Sequence, residues 1–198
     1  MIRVVLFDLD GVIRHFDPEV LRDIENRHGL AAGAISNTAF AAPLIDEVVT
    51  GRITRADWIA RVGELIANPA AARAWGGQPW RVDPAVLRLS DELRRIGLRT
   101  AILTNGTDTI PDELADSGIA EHFDAVFNSA VIGFAKPDVR AFRHVLDALE
   151  VTGPEVFFTD DSPRKLVGAD RTAMHTHRFR SVSELRRELA AIGVALRP

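Results

Sequence analysis

The sequence predicts an α/β fold in which a parallel sheet is flanked by helices and a small all-helical segment follows the first strand. Short, continuously apolar runs recur along the chain, as expected of strands buried on both faces, at residues 4–7, 100–103, 125–127 and 156–158. Amphipathic helical patterns separate these runs, and such alternation is typical of parallel sheets. Residues 16–83 are the exception, because no run within them is typical of a strand.

The remaining elements of the sheet and its helices follow from local patterns. Apolar side chains recur at helical spacing and predict helices at residues 84–96, 139–149 and 183–192. Ser183 is expected to cap the last of these helices. Residues 176–179 alternate polar and apolar side chains, which predicts a fifth strand at an edge of the sheet.

The segment between the first strand and the rest of the sheet predicts a cap of helices. It is too long for a simple connection, and its patterns predict helices at residues 18–28, 43–50 and 54–67, the last of them capped by Thr54. We therefore expect two domains, a core of residues 1–15 and 84–198 and a cap of residues 16–83. Trp58 is expected inside the cap. Trp75 and Trp80 are expected either to pack near the junction or to line a substrate entrance.

Composition excludes several classes of function. The formal net charge of -4 gives no basic surface for nucleic acid or an anionic membrane. No apolar stretch reaches the roughly 18 residues of a membrane span. Cysteine is absent, so disulfides, thiolate metal sites and a thiol nucleophile are excluded. The first residues lack the pattern of a secretory signal. We expect a cytoplasmic protein that is a monomer or homodimer and binds neither nucleic acid nor membrane.

Polar residues cluster directly after the predicted strands. The clusters are Asp8 and Asp10 after the first strand, Thr104, Asn105 and Gly106 after the second, Lys136 after the third, and Asp160 and Asp161 after the fourth. In open α/β sheets, ligands bind in the crevice at the carboxyl ends of the strands. Four separate segments are therefore expected to meet at one site.

The aspartates of these clusters predict a magnesium site. Carboxylates are hard oxygen ligands of the kind that Mg²⁺ prefers, together with substrate phosphate oxygens and water. Two like charges at the end of an apolar strand are unfavourable unless they are neutralised. A metal ion held by Asp8, Asp10 and one or both of Asp160 and Asp161 would neutralise them, and Lys136 adds a second positive charge.

The same residues suit phosphoryl transfer. A carboxylate can attack phosphorus and form an aspartyl-phosphate, and Asp8 is the first residue after the strand. Asp10 lies on the same side in extended geometry, where it can protonate the leaving oxygen and then activate water. The Thr104 hydroxyl and the amides of Asn105 and Gly106 can bind the transferring phosphoryl oxygens.

These segments resemble, in order and spacing, the four motifs of the haloacid dehalogenase (HAD) superfamily, at residues 8–12, 103–106, 136–138 and 158–163. The resemblance covers essentially the whole chain. It implies a Rossmann-like core, Mg²⁺ dependence and phosphoryl transfer through an aspartate nucleophile. The helical insert resembles the small C1 cap of the phosphatase-like branch of that superfamily.

The resemblance also implies a role for each matching residue. It implies that Asp8 is the nucleophile and that Asp10 is the general acid and base, which also ligates the metal through its backbone carbonyl. Thr104 would bind phosphate, and Lys136 would steady the nucleophile and the phosphoryl group. Asp161 would be the third metal ligand, with support from Asp160. Members of the superfamily that cleave carbon–halogen bonds lack the second aspartate. The presence of Asp10 therefore favours phosphate esters as substrates.

Two positions depart from the superfamily pattern. Relatives usually carry Asn or Asp four residues after the metal-binding aspartate, where this chain has Lys165. A cation there could weaken Mg²⁺ binding, form an outward salt bridge or meet an anionic substrate. The glycine that is common before the last strand is replaced by Ala173.

These observations favour a Mg²⁺-dependent phosphatase that hydrolyses a small phosphorylated metabolite through an aspartyl-phosphate. Two alternatives remain at the level of sequence. A phosphomutase of the same fold, similar to β-phosphoglucomutase, would return the phosphoryl group to a second hydroxyl. A non-catalytic binding protein would keep a degenerate site, and Lys165 is the one feature that supports it.

Overall fold

A computed structural model describes residues 1–196 of the chain. Its strands are β1 (Val4–Phe7), β2 (Arg14–Phe16), β3 (Trp80–Val82), β4 (Arg99–Thr104), β5 (Ala125–Asn128), β6 (Val156–Asp160) and β7 (His175–Arg178). Its α-helices are α1 (Pro18–Arg27), α2 (Ala34–Ala39), α3 (Leu44–Val49), α4 (Arg55–Leu65), α5 (Pro69–Gly76), α6 (Pro84–Arg95), α7 (Ile110–Asp116), α8 (Ser129–Ile132), α9 (Val139–Leu149), α10 (Pro163–Asp170) and α11 (Val182–Ala191). Short 3₁₀ turns occupy Ile119–His122 and Gly153–Glu155. None of the helices in the described part of the chain is both long and apolar enough to cross a bilayer.

The central sheet has five parallel strands in the order β5-β4-β1-β6-β7. Strand β1 lies in the middle, with Phe7 opposite Ile102 on one side and Thr159 on the other. The predicted fold class is therefore confirmed. Because the carboxyl ends of parallel strands share one edge, the residue after Phe7 lies between the ends of β4 and β6.

Both faces of the sheet are buried, which explains the uninterrupted apolar sequence of β1. Side chains alternate between the faces of a strand. Val5 and Phe7 belong to the apolar cluster that includes side chains of α6 and α11, whereas Val4 and Leu6 belong to the cluster that includes side chains of α9. A polar residue within β1 would have to be buried on one face or the other.

Helices α1 to α5 form a separate apolar core within the inserted segment. The buried side chains of this core are Ile24, Ile35, Ala39, Leu44, Val48, Val49, Trp58, Val62, Ala71, Ala72 and Trp75. Trp58 is buried there, as predicted, and its indole N–H donates to the Ala39 carbonyl. Thr54 caps α4 in a reciprocal capping box with Asp57, which explains where this helix begins. These contacts support the proposed division into a core and a cap, which stays a proposal.

Two local predictions need correction. The inserted segment is not free of strands, since β2 and β3 form an antiparallel pair at its two ends, with His15 opposite Arg81. Strands of three residues with charged side chains have too few apolar positions to produce a pattern. In addition, α11 is capped by Ser181, which accepts a hydrogen bond from the Glu184 amide, whereas Ser183 lies inside the helix.

We expect the Gly168→Ala substitution in α10 to destabilise the fold. A Cβ atom at this position would lie 2.1 Å from the Pro137 carbonyl oxygen and 2.5 Å from the Phe142 ring. Alanine normally favours a helix interior over glycine, but overpacking costs about 1–3 kcal/mol. Urea denaturation should therefore give a lower free energy of unfolding. Gly77→Ala is the matched control, because its Cβ would meet no atom closer than 3.6 Å. Equal stability of the two variants would contradict the close approach of α10 to the loop at Pro137.

Candidate active site

Asp8 lies at the carboxyl end of β1 and is almost completely buried, with 1% of its surface exposed. Its Oδ1 accepts hydrogen bonds from the Leu9 amide at 2.8 Å and from Lys136 Nζ at 2.7 Å. Its Oδ2 accepts from Lys165 Nζ at 2.9 Å. Two ammonium groups therefore neutralise one buried carboxylate, and this explains how a charge is accommodated at the end of an apolar strand.

Lys136 joins three strands through its ammonium group. Its Nζ donates to Asp8 Oδ1, to Asp160 Oδ2 and to the Leu103 carbonyl, each at 2.7 Å. The side chain is fully buried, and Nζ lies 5.2 Å from the centre of the Phe158 ring. All three hydrogens of the ammonium group are used, so its position is fixed.

The residues after β4 hold the loop that carries Lys136. The Asn105 side chain binds the Lys136 backbone twice, accepting from its amide at 2.7 Å and donating to its carbonyl at 2.8 Å. The Gly106 amide donates to Ser129 Oγ at 3.1 Å. Thr104 is buried at the end of β4, next to the end of β1. Their predicted role in binding phosphate stays a prediction, but Asn105 also has a positioning role that the sequence did not indicate.

Asp160 and Asp161 complete a cluster of carboxylates. Asp8, Asp160 and Asp161 each offer an oxygen atom within 4.8 Å of the others. Asp160 is buried at the end of β6, and its Oδ1 accepts from the Ser162 amide at 2.9 Å. Gly11 has a φ of +90°, and a Cβ atom there would lie 2.3 Å from Asp161 Oδ2. A glycine at this position therefore lets Asp161 approach the loop after β1.

Lys165 points into the site and contacts the nucleophile predicted from the sequence. Its Nζ lies 2.9 Å from Asp8 Oδ2 and 3.9 Å from Asp160 Oδ1, and 26% of the side chain remains exposed. Of the three possibilities that the sequence left open for this cation, the outward salt bridge is therefore wrong. The ammonium group lies among the carboxylates of the cluster, where a metal ion would also bind.

Asp10 faces away from this cluster. Its two carboxylate oxygens accept from Arg14, at 2.5 Å from Nε and 3.0 Å from Nη2, and Arg14 also donates to Glu113. The Arg14 guanidinium is buried and lies over the rings of Phe16 and Trp80. Sequence reasoning missed Arg14 and Glu113. A charged residue directly after the apolar Val12 and Ile13 is the one local sign of Arg14.

The charges of the cluster depend strongly on one another. Burial opposes the ionised form of Asp8, but Lys136 and Lys165 outweigh it and hold the pKa of this carboxyl below its usual range. Burial raises the pKa of Asp160 to about 6, against the opposing effect of Lys136. Burial also disfavours the charged form of Lys165, but Asp8 and Asp160 raise its pKa nonetheless. The group best suited to act as an anionic nucleophile is therefore Asp8.

The donor set of the cluster fits a magnesium ion. Three carboxylates supply hard oxygen atoms, and two lysines leave one negative charge uncompensated when all three carboxylates are ionised. Asp8 Oδ2, however, is already bound by Lys165. The Asp10 carboxylate lies outside the cluster. The predicted binding of the metal by the Asp10 backbone carbonyl stays a prediction. Residues Asp8, Asp160 and Asp161 could hold the ion if the Lys165 ammonium group moved away from Asp8 Oδ2.

Comparison with curated proteins finds several hydrolases. A phosphoserine phosphatase of Thermus thermophilus is 42% identical over 83 residues, which are 41% of this chain and 33% of that protein. Bifunctional epoxide hydrolase 2 of Rattus norvegicus is 24% identical over 96% of this chain and 39% of its own length. A phosphatase of Mycobacterium tuberculosis is 28% identical over 98% of this chain and 97% of its own length. The chain thus spans well under half of the first two relatives and nearly all of the third.

Solved structures share the fold. A HAD-like family hydrolase of Porphyromonas gingivalis superposes with a TM-score of 0.77 at 23% identity, over 96% of this chain and 98% of that one. A HAD family enzyme of Bacteroides thetaiotaomicron, in complex with magnesium and inorganic phosphate, superposes with a TM-score of 0.75 at 21% identity, over 93% of this chain and 99% of that one. The sequence pattern of the haloacid dehalogenase-like hydrolases matches residues 2–170, most of the chain. The resemblance of the four motifs is therefore confirmed, and the chain belongs to the haloacid dehalogenase-like hydrolase family.

Proposed function

We propose that this chain is a Mg²⁺-dependent phosphatase that hydrolyses a small phosphorylated substrate through an aspartyl-phosphate on Asp8. The observation that carries the proposal is the buried Asp8 carboxylate, which two lysines hold in its ionised form beside two further carboxylates. A carboxylate stripped of water and fixed in position is a suitable nucleophile for phosphorus.

In the first half of the reaction, a carboxylate oxygen of Asp8 attacks the phosphorus of the ester. The bond to the leaving alcohol breaks, and the alkoxide takes a proton from Asp10. Lys136 stays within reach of the phosphoryl oxygens, because it contacts the attacking carboxylate. Its positive charge offsets the negative charge that develops in the transition state.

In the second half, Asp10 accepts a proton from water, which attacks the aspartyl-phosphate and releases inorganic phosphate and free Asp8. Both oxygens of Asp10 accept from Arg14 in the described conformation. The proton transfers therefore require this pair to separate during the cycle. The cavity beside Asp10 gives the side chain room to turn.

A bound Mg²⁺ ion would supply positive charge that stabilises the phosphoryl oxygens and orients them for in-line attack. Asp8, Asp160 and Asp161 are the side chains proposed to hold it. The similarity to phosphatases of Thermus thermophilus and Mycobacterium tuberculosis supports phosphatase activity. The magnesium and phosphate in the Bacteroides thetaiotaomicron structure support the choice of ion. A cytoplasmic location and a monomeric or homodimeric state stay predictions.

Asp8→Asn should abolish phosphate release. The amide cannot act as the nucleophile, so we expect the rate with Mg²⁺ and a panel of phosphate monoesters to fall at least a thousandfold. Phosphate release is measured colorimetrically, with isomer formation followed in parallel by chromatography. Asp147→Asn is the matched control, because Asp147 is exposed on α9, away from the site. Isomer formation without phosphate release would favour the phosphomutase. Equal inertness of wild type and Asp8→Asn across the panel would favour a non-catalytic protein.

Lys165→Asn should tighten the binding of divalent cations. Removing the ammonium group frees Asp8 Oδ2 and removes the repulsion of a positive charge near the ion. We expect the Mg²⁺ concentration for half-maximal activity to fall at least tenfold, or about 1.4 kcal/mol of binding free energy. Mn²⁺ binding measured by electron paramagnetic resonance, without substrate, should show the same shift. Arg164→Asn, which removes a charge from the exposed neighbouring residue, should leave both values unchanged. Unaltered Mn²⁺ binding in Lys165→Asn would contradict competition between Lys165 and the ion.

A further inference from the structure

A cavity of about 560 Å³ lies between the cap helices and the edge of the sheet that carries Asp10. Asp10, Asn105, Gly106 and Thr107 line it from the core, so it reaches the proposed general acid and base and the proposed phosphate-binding loop. Its volume is within the range of about 300–1,000 Å³ that is typical of small-molecule sites. The cavity is therefore the space available to the alcohol part of a phosphate ester whose phosphoryl group binds at the carboxylates.

The wall of the cavity is mainly hydrocarbon. Eleven apolar side chains line it: Phe16, Pro18, Leu21, Phe40, Ile45, Val49, Trp58, Ile59, Trp75, Trp80 and Ile110. Phe40, Trp58 and Trp75 pack edge to face, with ring centroids 4.9 to 6.3 Å apart. The Trp58 N–H is already donated to the Ala39 carbonyl. Phe40 nonetheless leaves 58% of its surface exposed. The wall therefore presents ring surface that a ligand could cover.

Four of the five charged side chains that line the cavity pair with one another, and the fifth, Asp17, accepts a hydrogen bond from the Glu19 amide. Arg14 binds Asp10 and Glu113. Arg55 donates to the Gly76 carbonyl and lies 3.8 Å from Glu113. Gln78 also lines the cavity and could bind one hydroxyl. A substrate with many hydroxyl groups would have to break the charged pairs or leave most of its hydroxyls without partners, and burying an unpaired hydroxyl is unfavourable.

We propose that the alcohol released from the substrate is apolar, with a ring-sized hydrocarbon group that binds against Phe40, Trp58 and Trp75 while the phosphoryl group meets Asp8. This inference rests on the proposed function and narrows it from small phosphorylated metabolites in general to phosphate monoesters of apolar alcohols. Sugar phosphates and other polyhydroxylated esters are poor substrates, because their hydroxyls lose water without gaining partners.

Two matched substrates test the inference. Cyclohexylmethyl phosphate and glucose 6-phosphate are both phosphate esters of a primary carbon on a six-membered ring, and they differ in the polarity of the ring. We expect kcat/KM to be at least tenfold higher for cyclohexylmethyl phosphate. Phe40→Ser should reduce this preference at least threefold, whereas Leu65→Ser should leave it unchanged, since Leu65 is exposed on α4 and does not line the cavity. Equal or better turnover of glucose 6-phosphate would overturn the inference.

A binding measurement separates this inference from the proposed function. All three tryptophans of the chain line the cavity, so their fluorescence reports on its contents. The Asp8→Asn protein should show saturable quenching by 4-nitrobenzyl alcohol, an apolar quencher, which Phe40→Ser weakens at least threefold. Acrylamide should quench without saturation. If no ester is hydrolysed but this quenching saturates, the phosphatase proposal fails and the apolar site stands. Quenching by 4-nitrobenzyl alcohol that does not saturate would overturn the apolar site.

Discussion

The contact of Lys136 with Asp8 and Asp160 is the interaction on which the site depends. Two buried carboxylates at adjacent strand ends repel each other unless a cation lies between them. Lys136 Nζ meets both at 2.7 Å and is itself held by the Leu103 carbonyl. Breaking such a pair by removing one partner leaves a buried charge uncompensated, which is strongly destabilising. The strand ends, the buried charges and the loop at Lys136 are therefore fixed together.

The surrounding contacts serve to keep this lysine in place. Asn105 holds the Lys136 backbone at both its amide and its carbonyl, and Gly168 lets α10 approach the carbonyl of the next residue, Pro137. These contacts join β4, the loop before α9 and α10, which are far apart in the chain. Rigidity of this kind is what a nucleophile needs, since small displacements of reacting groups reduce the rate steeply.

Each carboxylate that the proposed mechanism uses for chemistry already has a cationic partner in the protein. Asp8 contacts two lysines, and Asp10 contacts Arg14. A substrate phosphate and a metal ion would both have to rearrange these pairs. Lys165 thus connects two properties of the proposed enzyme, its affinity for divalent cations and the charge available to the phosphoryl group. The cap adds a third property, the preference for an apolar substrate that we propose, because Phe40, Trp58 and Trp75 line the same cavity as Asp10.

Much of this arrangement could be predicted from particular residues, and the failures have identifiable causes. The strand at Val4–Phe7 was predicted from its continuous apolar run, and Thr54 from its position before an amphipathic helix. Strands β2 and β3 were missed because each has only three residues and the two form a sheet of their own. Glu113 was missed because its partner Arg14 lies 99 residues earlier in the chain. Short elements and distant partners leave no periodic signal.

The sequence by itself determined which chemical groups stand at the strand ends, because the carboxyl ends of parallel strands always share one edge of the sheet. The sequence alone therefore brings Asp8, Thr104 and Asp160 together, and the motif resemblance adds Lys136. Only the tertiary structure decided which cation each carboxylate meets and what lines the space above them. The Lys165 contact with Asp8 spans 157 residues, and the apolar wall is assembled from separate cap helices. Such contacts depend on how the elements pack, a property that no local pattern encodes.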